Sequence, residues 1–242
     1  LGTVNLGTAD DEEAVYGLQI DEQMNLYVAY STTGSVPGAV NNGEADVVLA
    51  KIDKAGTVLW QEQWGYATDE SPYQLVRDSD GSLYLTTIVR EYDAILDEYV
   101  TIDNLVVKFD ANGDVLWEVS IPIPNTVRQF YRLAISPNGS VYVNALDDVE
   151  SYGWLLRINP NGTIAWTKLL GTDADNPLDP LLLGQYDSYK VFPHDIAVDA
   201  NETVYMAISN FYTIAGVDSV ATMLASFDSG GMILSRVEPL TT

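Results

Sequence analysis

The chain has 242 residues, 47% of them hydrophobic, enough for one large domain and too apolar for a disordered chain. Its 11 Lys and Arg against 35 Asp and Glu give a formal charge of −24, which repels phosphate backbones and anionic bilayers and argues against nucleic-acid partners and membrane insertion. Cysteine is absent, so disulfides and thiol chemistry are excluded, and no apolar run approaches the ~20 residues of a membrane-spanning helix.

The chain opens with LGTVNLGTADDE (residues 1–12), which registers without gaps on LWQEQWGYATDE at 59–70. From Tyr16, YGLQIDEQMNLYVAY places two apolar runs around a polar turn, a hairpin signal. After a long polar segment (31–45), VVLAKIDKAGTVLWQE from Val47 repeats the pattern, with Asp-Lys-Ala-Gly at the reversal. The same two phrases then recur. The first returns as YQLVRDSDGSLYLTT from Tyr73, YRLAISPNGSVYVNA from Tyr131 and HDIAVDANETVYMAI from His194. The second returns as NLVVKFDANGDVLWEV from Asn104, WLLRINPNGTIAWTKL from Trp154 and TMLASFDSGGMILSRV from Thr222.

Tyr27, Tyr84, Tyr142 and Tyr205 fall in one register, at spacings of 57, 58 and 63 residues (84−27, 142−84, 205−142). Each unit is two hairpins, strands A to D, and a repeat of that length with four strands reads as a propeller blade. Strands such as LYVAY and NLVVKF are apolar on both faces, as blades stacked face to face require. The expected fold is therefore all-β: a single domain over 1–242, a β-propeller of four four-stranded antiparallel blades (about 9–64, 66–121, 126–170 and 188–239). Residues 1–7 are expected as one extra N-terminal outer strand. The chain begins at Leu1 rather than Met, which reads as a mature or excised piece. One helical turn is expected near Asp179–Leu183.

Propeller geometry puts the A–B and C–D turns on one rim. The other rim takes the long segments 31–45, 91–103, 147–152, 171–190 and 210–220, and most acidic clusters, including Asp69-Glu70, Asp97-Glu98 and Asp147-Asp148. Binding belongs to the loop-rich rim.

The phrases DGSLYL, NGSVYV, VVLAKIDKAGTVLW and NLVVKFDANGDVLW resemble SBBP-type β-propeller repeats of secreted and surface proteins in bacteria and archaea. The hairpins are also similar to pyrroloquinoline-quinone-like propeller repeats. The resemblance spans essentially the whole chain and implies a propeller fold and an exported, extracellular or cell-surface setting. It implies no activity, because such repeats are scaffolds. The fourth unit departs from the pattern, with Ser235 where Trp60, Trp117 and Trp166 stand.

Recurring once per unit, those three tryptophans and the register-matched tyrosines read as packing between blades. Trp64 and Trp154 fall outside the pattern and are the candidates for exposed interaction aromatics. Lys51, Lys108 and Arg157 share one strand-C position and are expected to pair with surplus carboxylates. Calcium candidates are Asp10, Asp11, Asp69 and Asp148 on the loop rim and Asp78 and Asp80 in a turn, although turn chemistry alone accounts for the last two. Asn138, Asn161 and Asn201 form glycosylation sequons that lie in turns. His194 is the one histidine, replacing a repeated tyrosine, and offers little for a Ser-His-Asp site or a zinc site.

No catalytic residue or cofactor other than calcium suggests itself. The expected function is a non-catalytic extracellular or cell-surface module for protein interaction and assembly, whose partners are other proteins or further copies of itself by strand addition. The alternative is a polysaccharide-binding or polysaccharide-active propeller working through its acidic rim.

Overall fold

The computed structural model describes residues 3–8, 14–122, 129–147, 152–170 and 188–237. Each repeat forms one sheet. The first holds β1 (Ala14–Ile20), β2 (Leu26–Thr32), β3 (Asp46–Ile52) and β4 (Val58–Trp64). The second holds β5 (Asp69–Arg77), β6 (Leu83–Asp93), β7 (Glu98–Phe109) and β8 (Val115–Ser120). The third holds β9 (Gln129–Ile135), β10 (Val141–Asp147), β11 (Tyr152–Ile158) and β12 (Ile164–Leu170). The fourth holds β13 (Ser188–Val198), β14 (Val204–Ile214), β15 (Val217–Phe227) and β16 (Ile233–Val237). All four are antiparallel meanders in chain order, the blades of an all-β, propeller-type fold.

Two compact units divide the chain, Leu1–Asn125 and Thr126–Thr242, with two blades in each. In the first unit β5 lies across β1, β2 and β3. The core between these blades joins Tyr27, Ala29, Val47 and Leu49 to Leu75, Leu83, Leu85 and Phe109, with Trp60 and Trp64 partly buried against it. In the second unit β13 lies against β9, β10 and β11. Tyr142 and Leu155 there meet Ile196, Met206, Ile208 and Phe227. Both faces of a central strand are thus dry, which is why its sequence lacks polar alternation.

Tight turns are set by their first residue. In the β7–β8 turn, Asp110 Oδ1 accepts from the amides of Asn112 (2.7 Å) and Asp114 (3.0 Å). Gly113 there takes a φ of 92°, which an L side chain tolerates poorly. Asp53, Asp199 and Asp228 cap their turns in the same way.

Two expectations are corrected. Residues 3–8 belong to no sheet and form no strand. They lie on the first sheet instead, where Val4 and Leu6 pack on Val28, Tyr30, Val48 and Ile52. The Leu6 carbonyl is taken by the Tyr30 hydroxyl (2.7 Å) and Gln61 Nε2 (3.2 Å) rather than by a neighbouring strand. Segments 91–103 and 210–220, read as loops, are largely strand: β6 with β7 and β14 with β15 continue pairing as long hairpins, Asp93 with Glu98 and Ile214 with Val217. Their alternating Tyr, Val, Thr and Ile carry the strand signal, and their acidic residues hid it. The expected helical turn near 179–183 lies outside the described residues.

Candidate functional site

At the long-connection end of the first unit, the start of β1, the end of β2, the 33–45 connection, the start of β5 and the β6–β7 hairpin surround a pocket of about 310 Å³. Tyr16 and Tyr99 supply its aromatic surface, Glu44 and Asp69 its carboxylates, and Ser31, Thr33 and Ser71 its hydroxyls. Arg90 holds two of these lining groups, standing 3.8 Å from Asp69 and donating to Ser71 Oγ at 3.2 Å. Burial, followed by the charges of Glu44 and Asp69, raises the Tyr99 hydroxyl above the usual phenol range, so it stays a neutral donor.

The wall behind this pocket is held by a buried acidic joint. Asp46 and Glu70 are both fully buried. Asp46 Oδ2 accepts from the Asn42 amide (3.0 Å) and Gln63 Nε2 (2.9 Å). Glu70 accepts from the Tyr66 amide (2.9 Å) and from the Thr68 hydroxyl. Gly65 runs between them. A Cβ there would lie 2.3 Å from Asp46 Oδ1 and 2.5 Å from Glu70 Oε2, so any larger residue must displace a buried carboxylate. Burial pushes the Glu70 carboxyl up despite its hydrogen bonds, and the charges of Asp46 and Asp69 push it further.

The β6–β7 hairpin ends in a tight, ordered tip. Asp93 Oδ1 accepts from the amides of Ile95 (2.8 Å) and Leu96 (3.2 Å), and the Asp97 amide donates to the Asp93 carbonyl (2.9 Å). The Tyr92 hydroxyl bonds Asp97, and Tyr92 packs edge-on against Tyr99. Ile95 is left 93% exposed, with Leu96 exposed beside it.

Asp69 of the calcium set lines the pocket but is engaged by Arg90. Asp78 and Asp80 serve their turn: Asp78 Oδ1 accepts from the Asp80 amide (2.6 Å), and Asp80 Oδ1 from the Ser82 amide (2.7 Å). Asp10, Asp11 and Asp148 lie outside the described residues. Among the described residues no group of three His, Cys, Asp or Glu side chains converges on a metal-sized site.

Neither aromatic proposed for the surface is an exposed platform. Trp64 packs in the core between blades, edge-on to Phe109 (6.3 Å) and Tyr66 (5.3 Å). Trp154 is partly covered, and its indole nitrogen is buried. Trp64 sits where an apolar strand face meets the neighbouring blade, a position that blade-to-blade register alone does not mark. The exposed aromatics described at this end are Tyr16, Tyr66, Tyr92 and Tyr99, the last two on the hairpin that the sequence reads as loop. The strand-C cations lie over the repeated tyrosines: Lys51 over Tyr27 (4.8 Å), Lys108 over Tyr84 (5.0 Å) and Arg157 over Tyr142 (5.8 Å). Lys51 also pairs with Asp21 (3.7 Å) and Arg157 with Glu202 (3.4 Å). His194 Nε2 shares a 2.8 Å hydrogen bond with Ser209 Oγ, tying β13 to β14.

No known family profile matches the chain. It is similar to the regulatory protein FlaEY of Caulobacter vibrioides, with 28% identity over 155 residues, covering 58% of this chain and 15% of that protein. The chain therefore spans only a small part of that relative. Among solved structures it is similar to a protein of unknown function from Bacteroides caccae, at 10% identity and a TM-score of 0.45, over 95% of this chain and 83% of that one. An ulvan lyase gives 13% identity and a TM-score of 0.45, over 89% and 54% of the two chains. A sialidase, Hz136, gives 12% identity and a TM-score of 0.45, over 91% and 50%.

Proposed function

We propose that the protein is a non-catalytic extracellular or cell-surface module for protein interaction and assembly, acting through the long-connection end of its first unit and needing no cofactor. The observation that carries this reading is the β6–β7 tip, where Ile95 stands 93% exposed on a turn already fixed by Asp93. An apolar anchor presented in one conformation loses little entropy on docking, the property of interface hot spots. The charge of −24 suits a solvated surface in salty surroundings, where screening is strong.

A photo-crosslinking residue at Ile95 is expected to give a discrete protein adduct on intact cells. The same residue at Val40, also strongly exposed (73%), should give none. Leu96→Asp should abolish the adduct without lowering the melting temperature. Equal, diffuse labelling from both positions would reject the reading.

The adjacent pocket favours a second one. Two tyrosines with carboxylates and hydroxyls in about 310 Å³ suit a sugar ring, so the alternative is polysaccharide binding. Glycan-array binding that disappears in Tyr99→Ala would select it.

A further inference from the structure

A separate cavity of about 440 Å³ lies within the first unit, walled by the β4–β5 connection and by β6, β7 and β8. It shares no lining residue with the pocket of Glu44 and Asp69. Val89 and Leu105, both buried, give it an apolar wall. A β-bulge adds Ile102 to that wall. Val89 pairs with Asp103 and Arg90 with Thr101, so Ile102 has no cross-strand partner and the alternation of β7 is broken there. Ile102 and Asp103, neighbours in sequence, thereby line one cavity.

The polar side is held in place before anything binds. Asp103 Oδ1 accepts from the Asn104 amide (2.7 Å) and the Ser120 hydroxyl (2.6 Å), which leaves Oδ2 without a partner among the described residues. The Tyr66 hydroxyl donates to Glu118, and burial, followed by that bond, raises it above the usual phenol range. Trp64 meets the Tyr66 ring edge-on at 5.3 Å, and the Tyr66 amide donates to Glu70 at 2.9 Å. Asp103 and Glu118 are both partly buried. No Lys, Arg or His lines the cavity, and neither carboxylate makes an ion pair among the described residues. Two negative charges thus stand beside an aromatic ring and an apolar wall, with no cation of the chain's own.

We propose that this cavity binds a primary alkylammonium ion, its hydrocarbon stem against Val89, Ile102 and Leu105 and its charged head between Asp103 Oδ2 and Glu118, beside the Tyr66 ring. A guanidinium fits less well. Its fork takes both oxygens of one carboxylate, and here Asp103 Oδ1 and the Glu118 oxygen bound by Tyr66 are already engaged. An ammonium donates singly in three directions and needs no such pair. A neutral ligand would leave the two charges without a counterion. A lysine side chain of a docked protein and a free amine share this chemistry. The site goes beyond the docking of the hairpin tip and does not rest on it.

Titration of the full chain with n-butylammonium chloride and with Nα-acetyl-lysine N-methylamide, followed by NMR at the methyl groups of Val89, Ile102 and Leu105, tests the site. Both ligands are expected to shift these methyls saturably, half-complete at roughly 1–10 mM, as ligands of so few heavy atoms allow. The Ile95 methyls on the hairpin tip should not move. n-Butanol and the Nε-acetylated lysine derivative keep the stem and lose the charge, and should bind at least about tenfold more weakly. Glu118→Gln should weaken butylammonium binding by a similar factor at an unchanged melting temperature, and Asp103→Asn should do the same. Saturation by butylammonium with the lysine derivative shut out would keep the site and make a free amine its source. Equal shifts from butanol, undiminished binding in both variants, or no saturable shift from either amine would overturn the proposal.

Discussion

At the scale of single residues, the blades are stitched by one recurring quartet. A turn aspartate accepts from a strand-B tyrosine hydroxyl, as Asp21 does from Tyr27 (3.3 Å) and Asp78 from Tyr84 (3.4 Å). A strand-C cation covers the ring, and a strand-D tryptophan meets it, edge-on at 6.1 Å (Trp60) and 6.0 Å (Trp117) and tilted at 6.2 Å (Trp166). Burial, with the charges of Asp78 and Asp80, holds the Tyr84 hydroxyl well above the usual phenol range. Trp117 is partly rather than fully buried, so Trp117→Ala should cost about 2–4 kcal/mol in urea unfolding, near the lower end of aromatic truncations. A loss below about 1 kcal/mol would mean the ring contributes little packing. The fourth blade keeps only the aspartate–tyrosine half, Asp199 accepting from the Tyr205 hydroxyl at 3.3 Å. Ser226 and Ser235 replace cation and tryptophan and bond each other at 2.7 Å across paired strands, and Tyr205 is left exposed.

At the scale of elements, the joint between β3, β4 and β5 depends on two buried carboxylates bracketing Gly65. Glu70 has a folded pKa above its unfolded value, so the folded state holds its proton more tightly. Its contribution is complete below the unfolded pKa and is lost as pH rises through the folded one. Glu70→Gln, which keeps the shape without the charge, should therefore melt higher than the native protein at pH 7.5, and the gain should vanish near pH 4. A gain independent of pH would show that the ionised carboxylate is not the destabilising species.

How much of this was legible in the sequence follows from what each feature needs. Strand order, turns and blade packing rest on local chemistry repeated four times: Asp and Gly at reversals, Tyr and Trp in register. These can be read one unit at a time. The Asp46–Glu70 joint brings together residues 24 apart (70−46) that the repeat marks only singly, Asp46 in the register of Asp103 and Glu70 in that of Glu12, so the repeat does not point to their meeting. The β6–β7 extension was masked because acidic residues punctuate EYDAILDEYVTID, and polarity resembles loop unless the alternation of Tyr99 and Thr101 is weighed. Trp64 and Trp154 were misplaced for the opposite reason. An aromatic off the repeat register reads as spare, yet the packed face between blades has room for Trp64.

At the scale of the whole molecule, net charge sets the dominant long-range term. At −24, self-repulsion among the 35 carboxylates is offset by only 11 cations, several of them committed to tyrosine faces and single aspartates. Raising sodium chloride from about 10 mM to about 500 mM shortens the Debye length from roughly 30 Å to under 5 Å. The melting temperature should rise by several degrees across that range. A flat or falling response would place the stability in local ion pairs rather than in relief of general repulsion.

The way the β6–β7 hairpin closes carries an evolutionary consequence. Its tip is shaped by Asp93, Tyr92 and Asp97 and not by the two apolar side chains it displays. Ile95 and Leu96 therefore hold no information about folding. They behave as an exchangeable cassette on a fixed arm, and a lineage could redirect the protein by rewriting those letters while every blade beneath stays as it is. The same independence makes residues 94–96 a grafting site, where a foreign recognition sequence would be displayed in a shape the arm has already chosen.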